Sequence, residues 1–120
     1  MAAKYIITQT SNDQFRFVLK AANGETLLTS ETYKAKRSAL DGIASVKVNA
    51  PKDERYERKD AKNGSPMFNL KAANGEIIGT SEMYSSASAR DGGIEAVKKN
   101  APTAETEDRS PPVAPRNAAS

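Results

Sequence analysis

Four glutamates recur in matched pairs along the 120-residue chain, Glu25 with Glu76 and Glu31 with Glu82, each pair 51 positions apart. Two carboxyl groups held about 5–10 Å apart can cleave a glycosidic bond, one protonating the leaving oxygen while the other assists attack. A pseudo-symmetric molecule is one way to supply one carboxyl group from each half. Ser30 and Ser81 recur at the same spacing, and a serine nucleophile needs an adjacent base. Lys20 and Lys71 are the nearby amines in sequence, but nothing in the spacing sets them against the serines.

Each pair also has a plainer assignment. Glu25 and Glu76 directly follow Asn-Gly turns, and Glu31 and Glu82 precede helical segments, where negative charge is favoured. The serines suit turns and caps. Asn-Gly-Glu is no phosphate loop, because it lacks the run of glycines and the following helix that cradle phosphates. The chain has no His and no Cys. That removes the commonest general base and metal ligand, and with them thiolate chemistry, disulfides and cysteine-held metals. The sequence therefore assigns no catalytic, cofactor-binding or metal-ligating residue, and the expectation is a protein that is not an enzyme and needs no cofactor.

Binding is the remaining class. Arg16, Lys20, Lys34, Lys36, Arg37 and Lys71 could form a mildly basic surface, with Tyr33 and Tyr84 as stacking platforms for single-stranded nucleic acid. The net charge is only +3, without the concentrated basic stripe of a dedicated nucleic-acid binder. A small interaction or scaffolding module, taking a peptide or another subunit on a sheet face or by strand addition, is the leading expectation. Weak nucleic-acid binding is the alternative. No segment approaches the roughly 20 apolar residues of a membrane span, and Met1–Lys4 leads straight into a short strand-like run, unlike a signal peptide. A cytoplasmic protein with an unidentified protein partner and no membrane association is expected.

The elements that must position these residues come in two copies. Shifted by 51 residues, Phe17–Pro51 aligns with Phe68–Pro102 without a gap, with 19 of 35 positions identical. LKAANGE occurs in both copies, at Leu19–Glu25 and Leu70–Glu76, and Tyr5 meets Tyr56. Tyr5–Thr8 is short and β-branched. In Phe15–Lys20, residues Phe15, Phe17 and Leu19 alternate with polar neighbours, as in a half-buried strand. Asn23-Gly24 then predicts a two-residue type I′ turn into a third strand, Thr26–Thr29. Residues Ala35–Asn49 carry an apolar stripe of Ala39, Ile43, Val46 and Ala50, repeated by Ile94, Val97 and Ala101. Gly42 and Gly93 inside these helices predict an approach too close for a methyl group. Ser85 or Ser86 is positioned to cap the second helix, and each helix stops before Asn-Ala-Pro. The charged run Asp53–Asp60 takes the first strand's place in the second copy, and suits an edge.

The string F-x-L-K-A-A-N-G-E, then T-S-E-x-Y and G-I-x-x-V-K-x-N-A-P, resembles the YegP-like family of small tandem-repeat bacterial proteins across residues 4–102. The resemblance implies two β-β-β-α-β units in one shared sheet, with the last strand of each exchanged between units, so that the strand around Tyr56 closes one unit and opens the next. It implies no activity.

The expected fold is thus α+β: a mainly antiparallel, pseudo-twofold sheet covered on one face by two helices. Residues 1–51 form repeat 1, residues 52–102 repeat 2, and residues 103–120 a disordered Pro- and Ala-rich tail, since Glu105–Ser120 has no aromatic and almost no aliphatic residue. A monomer is expected, the duplication already supplying the twofold partner. Lys34–Arg37 against Ser85–Ser88, and Leu40 against Asp91, mark one helix surface as the divergent one.

Overall fold

The computed structural model describes residues 3–110. Repeat 1 runs β1 (Lys4–Gln9), β2 (Phe15–Lys20), β3 (Thr26–Thr29) and α1 (Lys36–Asn49). A single 3₁₀ turn at Asp53–Arg55 leads into β4 (Tyr56–Asp60), β5 (Pro66–Lys71), β6 (Ile77–Thr80) and α2 (Ala87–Asn100), and the described chain closes with β7 (Glu105–Asp108). All seven strands join one sheet in the order β4-β5-β6-β3-β2-β1-β7. Every pairing is antiparallel except β1 with β7, which is parallel. The fold is the α+β tandem sheet read from the sequence, and β7 is the exchanged strand: it leaves repeat 2 and pairs with repeat 1.

Thr29 is register partner to Thr80, its own repeat counterpart, so the pseudo-twofold axis passes between β3 and β6. On the helix side of the sheet, Tyr5, Ile7, Phe17, Leu19, Leu28, Phe68 and Leu70 pack with Ile43 and Val46 of α1 and Ile94 and Val97 of α2 in one core. The helices straddle the seam: α1 packs on β5 and β6 as well as β2, and α2 on β3 as well as β5. A core shared in this way is what two units too small to bury their own apolar faces require.

The buried tyrosines bind strand to helix. Tyr5 Oη donates to the Ala101 carbonyl at the end of α2, and Tyr56 Oη to the Ala50 carbonyl at the end of α1, both at 2.7 Å. Each hydroxyl thereby satisfies a carbonyl left unpaired at a helix C-terminus, and burial pushes both phenol pKa values upward. Tyr33 and Tyr84 stack on Phe17 and Phe68, with centroids 6.3 and 6.4 Å apart. The helix glycines exist for these rings: a Cβ on Gly42 would lie 2.6 Å from Tyr33 Oη and 3.0 Å from its Cζ, and one on Gly93 would overlap Tyr84 in the same way. The close approach is to a loop tyrosine rather than to the sheet backbone.

Two further expectations need correction. The Asn-Gly turn is not type I′: Asn23 keeps a negative φ and only Gly24 enters the left-handed region, at +88°. Gly24 N–H donates to Ala21 O, and Ala21 N–H to Glu25 O, the three-residue hairpin with a glycine bulge. The same bonds recur at Ala72–Glu76 and Ala61–Ser65. Helix α1 begins at Lys36, and Ala35 gives it no side-chain cap, whereas Ser86 Oγ accepts from Ala89 N–H at 3.0 Å in α2. Residues 103–110 are not a disordered tail. Glu105–Asp108 is a strand whose order comes from backbone pairing and ion pairs instead of apolar burial; residues 111–120 of the expected tail lie outside the described residues.

Candidate strand-capture edge

The repeated glutamates do meet across the seam, in two symmetric groups. Glu25 of the first hairpin turn shares a cavity of about 310 Å³ with Glu82, Met83 and Tyr84 of the second repeat, and Thr26 and Leu27 complete its lining. The Tyr84 hydroxyl is pushed up first by burial and then by Glu82 and Glu25, and the Tyr33 hydroxyl by burial, Glu31 and Glu76. Sequence spacing alone could not join Glu25 to Glu82, because their meeting depends on the β3–β6 pairing. Neither group contains an amine or imidazole to act as a base. Among the described residues, no group of three or more acidic side chains is placed to hold a metal ion.

Ser30 and Ser81 are occupied structurally. Ser30 Oγ accepts from Phe17 N–H at 2.9 Å and donates to the Glu31 carbonyl at 2.7 Å, and Ser81 does the same with Phe68 and Glu82. Lys71, the candidate base, pairs instead with Glu57 at 3.4 Å.

The basic set is divided. Pairing of Arg16 with Thr8, Lys20 with Lys4, and Lys71 with Ile77 places those three on the sheet face away from the helices. Lys36 lies on the helix side, where it pairs with Asp108 at 2.8 Å. The two tyrosines assigned as stacking platforms are the ones stacked on core phenylalanines.

What remains is the pair of sheet edges, which are related by the twofold but not alike. At one end β7 lies parallel to β1, with Lys4 opposite Glu105 and Ile7 opposite Asp108. Arg109 N–H donates to Ile7 O at 2.8 Å, Lys4 Nζ meets Glu107 at 2.9 Å, and Lys36 meets Asp108. At the other end β4 pairs with β5 in the register of β1 with β2, Tyr56 opposite Leu70 as Tyr5 is opposite Leu19. Arg58 therefore stands at the place of Ile7, with its peptide groups on the outer side, and β4 has no strand beyond it among the described residues. Arg58, Lys59 and Asp60 are exposed.

The divergence of the two strands matches this difference. The covered strand reads Tyr-Ile-Ile-Thr and the open one Tyr-Glu-Arg-Lys, the latter being the charged composition that keeps an exposed edge from indiscriminate pairing. The divergent face is thus the β4 edge more than the helix surface around Lys34–Arg37. Residues 54–57, the 51-residue counterparts of Glu105–Asp108, span the end of the 3₁₀ turn and the start of β4, so the repeat alignment carried past Pro102 does not mark β7 as a strand.

Comparison with known proteins gives a consistent family and no activity. The family model described as "Domain of unknown function (DUF1508)" matches twice, over residues 10–57 and 61–108. A UPF0339 protein of Acinetobacter baylyi is 58% identical over 108 residues, spanning 90% of this chain and 97% of its own. The UPF0339 protein YegP of Escherichia coli K12 is 58% identical over 100 residues, covering 83% of this chain and 91% of its own. The solution NMR structure of a UPF0339 protein from Shewanella oneidensis superposes with a TM-score of 0.86 at 54% identity, covering 92% of this chain and 93% of that one. The solution NMR structure of YegP from E. coli, described as a protein of unknown function, gives the same TM-score and identity over 92% and 95% of the two chains.

Proposed function

Since the chain belongs to the DUF1508 family, whose function is unknown, we propose that it is a non-enzymatic interaction module that captures an extended segment of a partner protein at the open edge of β4. It acts as a monomer, because its own second repeat occupies the twofold interface. The observation that carries this reading is the asymmetry of the edges. A parallel strand pairs against β1, and among the described residues no strand occupies the twofold-equivalent place beside β4. Main-chain hydrogen bonds supply affinity in strand addition, and side chains on alternate positions supply selectivity. No helix among the described residues is long and apolar enough to cross a membrane.

The test is an NMR titration of the isotope-labelled full chain with a varied set of short extended peptides. At least one peptide is expected to give saturable shift changes centred on Tyr56–Asp60, leaving Lys4–Gln9 unchanged. If no peptide perturbs β4 at millimolar concentration, the edge is a solvated end of the sheet and the reading is wrong.

A further inference from the structure

Three Asn-Gly pairs, Asn23-Gly24, Asn63-Gly64 and Asn74-Gly75, stand exposed at the tips of the β2–β3, β4–β5 and β5–β6 hairpins. The three turns share one geometry. Each glycine lies in the left-handed region, at +88°, +86° and +89°. Its N–H donates to the carbonyl three residues back, that of Ala21, Ala61 or Ala72, at 2.8–2.9 Å. Each Asn Oδ1 accepts the N–H two residues on at 3.0 Å.

The side-chain nitrogen is where they part. Asn23 Nδ2 donates to Glu25 Oε1 at 3.2 Å, and Asn74 Nδ2 to Glu76 Oε1 at 3.3 Å. Asn63 is followed two residues on by Ser65 in place of a glutamate. Among the described residues its Nδ2 meets only the sulfur of Met83, at 3.6 Å.

An Asn-Gly pair is open to self-cyclisation, because glycine has no Cβ to crowd a close approach to its nitrogen. The glycine nitrogen loses its proton and attacks the asparagine Cγ. As the new C–N bond closes a five-membered succinimide, the bond from Cγ to Nδ2 breaks, and that nitrogen takes up a proton and leaves as ammonia. Water then opens the ring at one of its two carbonyls. Cleavage at the side-chain carbonyl leaves aspartate; cleavage at the main-chain carbonyl leaves isoaspartate, with an extra methylene in the backbone. A carboxylate beside the peptide opposes the negative charge that the glycine nitrogen must build, and one bonded to Nδ2 keeps the side-chain amide engaged.

We propose that Asn63 is the deamidation site of this protein, and that Glu25 and Glu76 guard the two like turns. Lys62 precedes Asn63 where Ala22 and Ala73 precede the others, and a cation favours the nitrogen anion. The Asn63 turn also carries β4, the last strand of the sheet, and a hairpin at an edge opens locally more readily than one paired on both sides. The 51-residue counterpart of Asn63-Gly64 is Asn12-Asp13, where Asp13 holds the left-handed place at +65° and its side chain crowds the nitrogen. Isoaspartate at position 63 would lengthen the turn that sets the register of β4 on β5.

The test incubates the full chain in warm, mildly alkaline buffer and follows each asparagine by peptide mapping and mass spectrometry. Asn63 is expected to convert several-fold faster than Asn23 and Asn74. Ser65→Glu should slow Asn63 to near the rate of the other two, while Glu25→Gln or Glu76→Gln should speed Asn23 or Asn74 alone. In urea, where the turn bonds are lost, the three rates should draw closer together. Equal rates in the folded chain overturn the proposal, as does a gap of undiminished size in urea, which would place the difference in local sequence alone. A Ser65→Glu variant that leaves the Asn63 rate unchanged overturns the guarding role of the glutamates.

Discussion

Gly79→Leu is expected to destabilise the protein by about 3 kcal/mol or more, the upper end of what overpacking a filled core costs. Gly79 is the repeat counterpart of Leu28, and the two touch beside the pseudo-twofold axis. A Cβ on Gly79 would already lie 3.2 Å from Leu28 Cδ1 and 3.5 Å from Leu28 Cβ. Leu28 is fully buried, so two leucines related by the axis would claim one volume, and two glycines would leave it empty. One large and one small residue fill it. Leu28→Gly alone should cost a comparable amount, because removing a buried leucine side chain leaves a cavity worth about 2.5–5 kcal/mol. The exchanged pair, Leu28→Gly with Gly79→Leu, should recover most of either loss, the axis making the two arrangements near-equivalent. Denaturant unfolding of the three variants reads this directly. Additive losses in the double variant would show that the two sites are not partners across the axis.

Ending the chain after Ala104 should make the protein more prone to associate with itself. β7 has no apolar residue, yet it covers the backbone edge of a strand containing Tyr5, Ile6 and Ile7. Its loss forfeits a few ladder bonds, about 2–4 kcal/mol in all at roughly 1 kcal/mol each. It also leaves an apolar edge free to pair with another chain. Sedimentation of the truncated protein is expected to show dimers or larger species that the full chain does not form at equal concentration; a monomer of unchanged stability would mean that β7 protects nothing.

Acid should loosen the same strap in the intact chain. Lys4 and Arg109 around Glu107 hold its carboxyl down at about 2, Arg109 contributing most. Lys36 and Ser110 hold Asp108 at about 2 as well. Both folded values lie below the usual 4.5 and 3.8. The stability these pairs contribute is therefore complete above about pH 4.5 and is lost as the pH falls toward 2. Amide exchange at β7 should accelerate in that window before the core strands respond. High salt should do the same at neutral pH, since the pairs are half-exposed and screened.

The duplication made most of the fold legible. Repeated strands, helices, turns and the two glycines could be placed because each had a twin whose pattern supported it, and the charged segment at Tyr56 was recognised as a strand only by its counterpart. β7 had no such support, because composition measures what a segment can bury and this strand is held by pairing. The turn at Asn23-Gly24 was located correctly but given the wrong geometry; Asn-Gly serves both hairpin types, and the five-residue spacing from Ala21 to Glu25 decides between them. The candidate site was legible in part: the polarity of Asp53–Asp60 marked an edge strand, and β4 ends the sheet. Which of the two equivalent edges is covered depends on the parallel return of β7, which no local pattern shows. Similarly, Leu28 against Gly79 reads in an alignment as simple divergence, and its meaning appears only where the axis brings them together.

Expressing residues 1–51 and 52–120 as separate chains tests the shared-sheet account most directly, with thermal unfolding followed for each alone at low concentration and for the equimolar mixture. Each alone should lack a cooperative transition, and the mixture should regain one as a heterodimer, the Leu28–Gly79 pair favouring unlike halves over like. A sharp, concentration-independent melt from either half as a monomer would contradict the account.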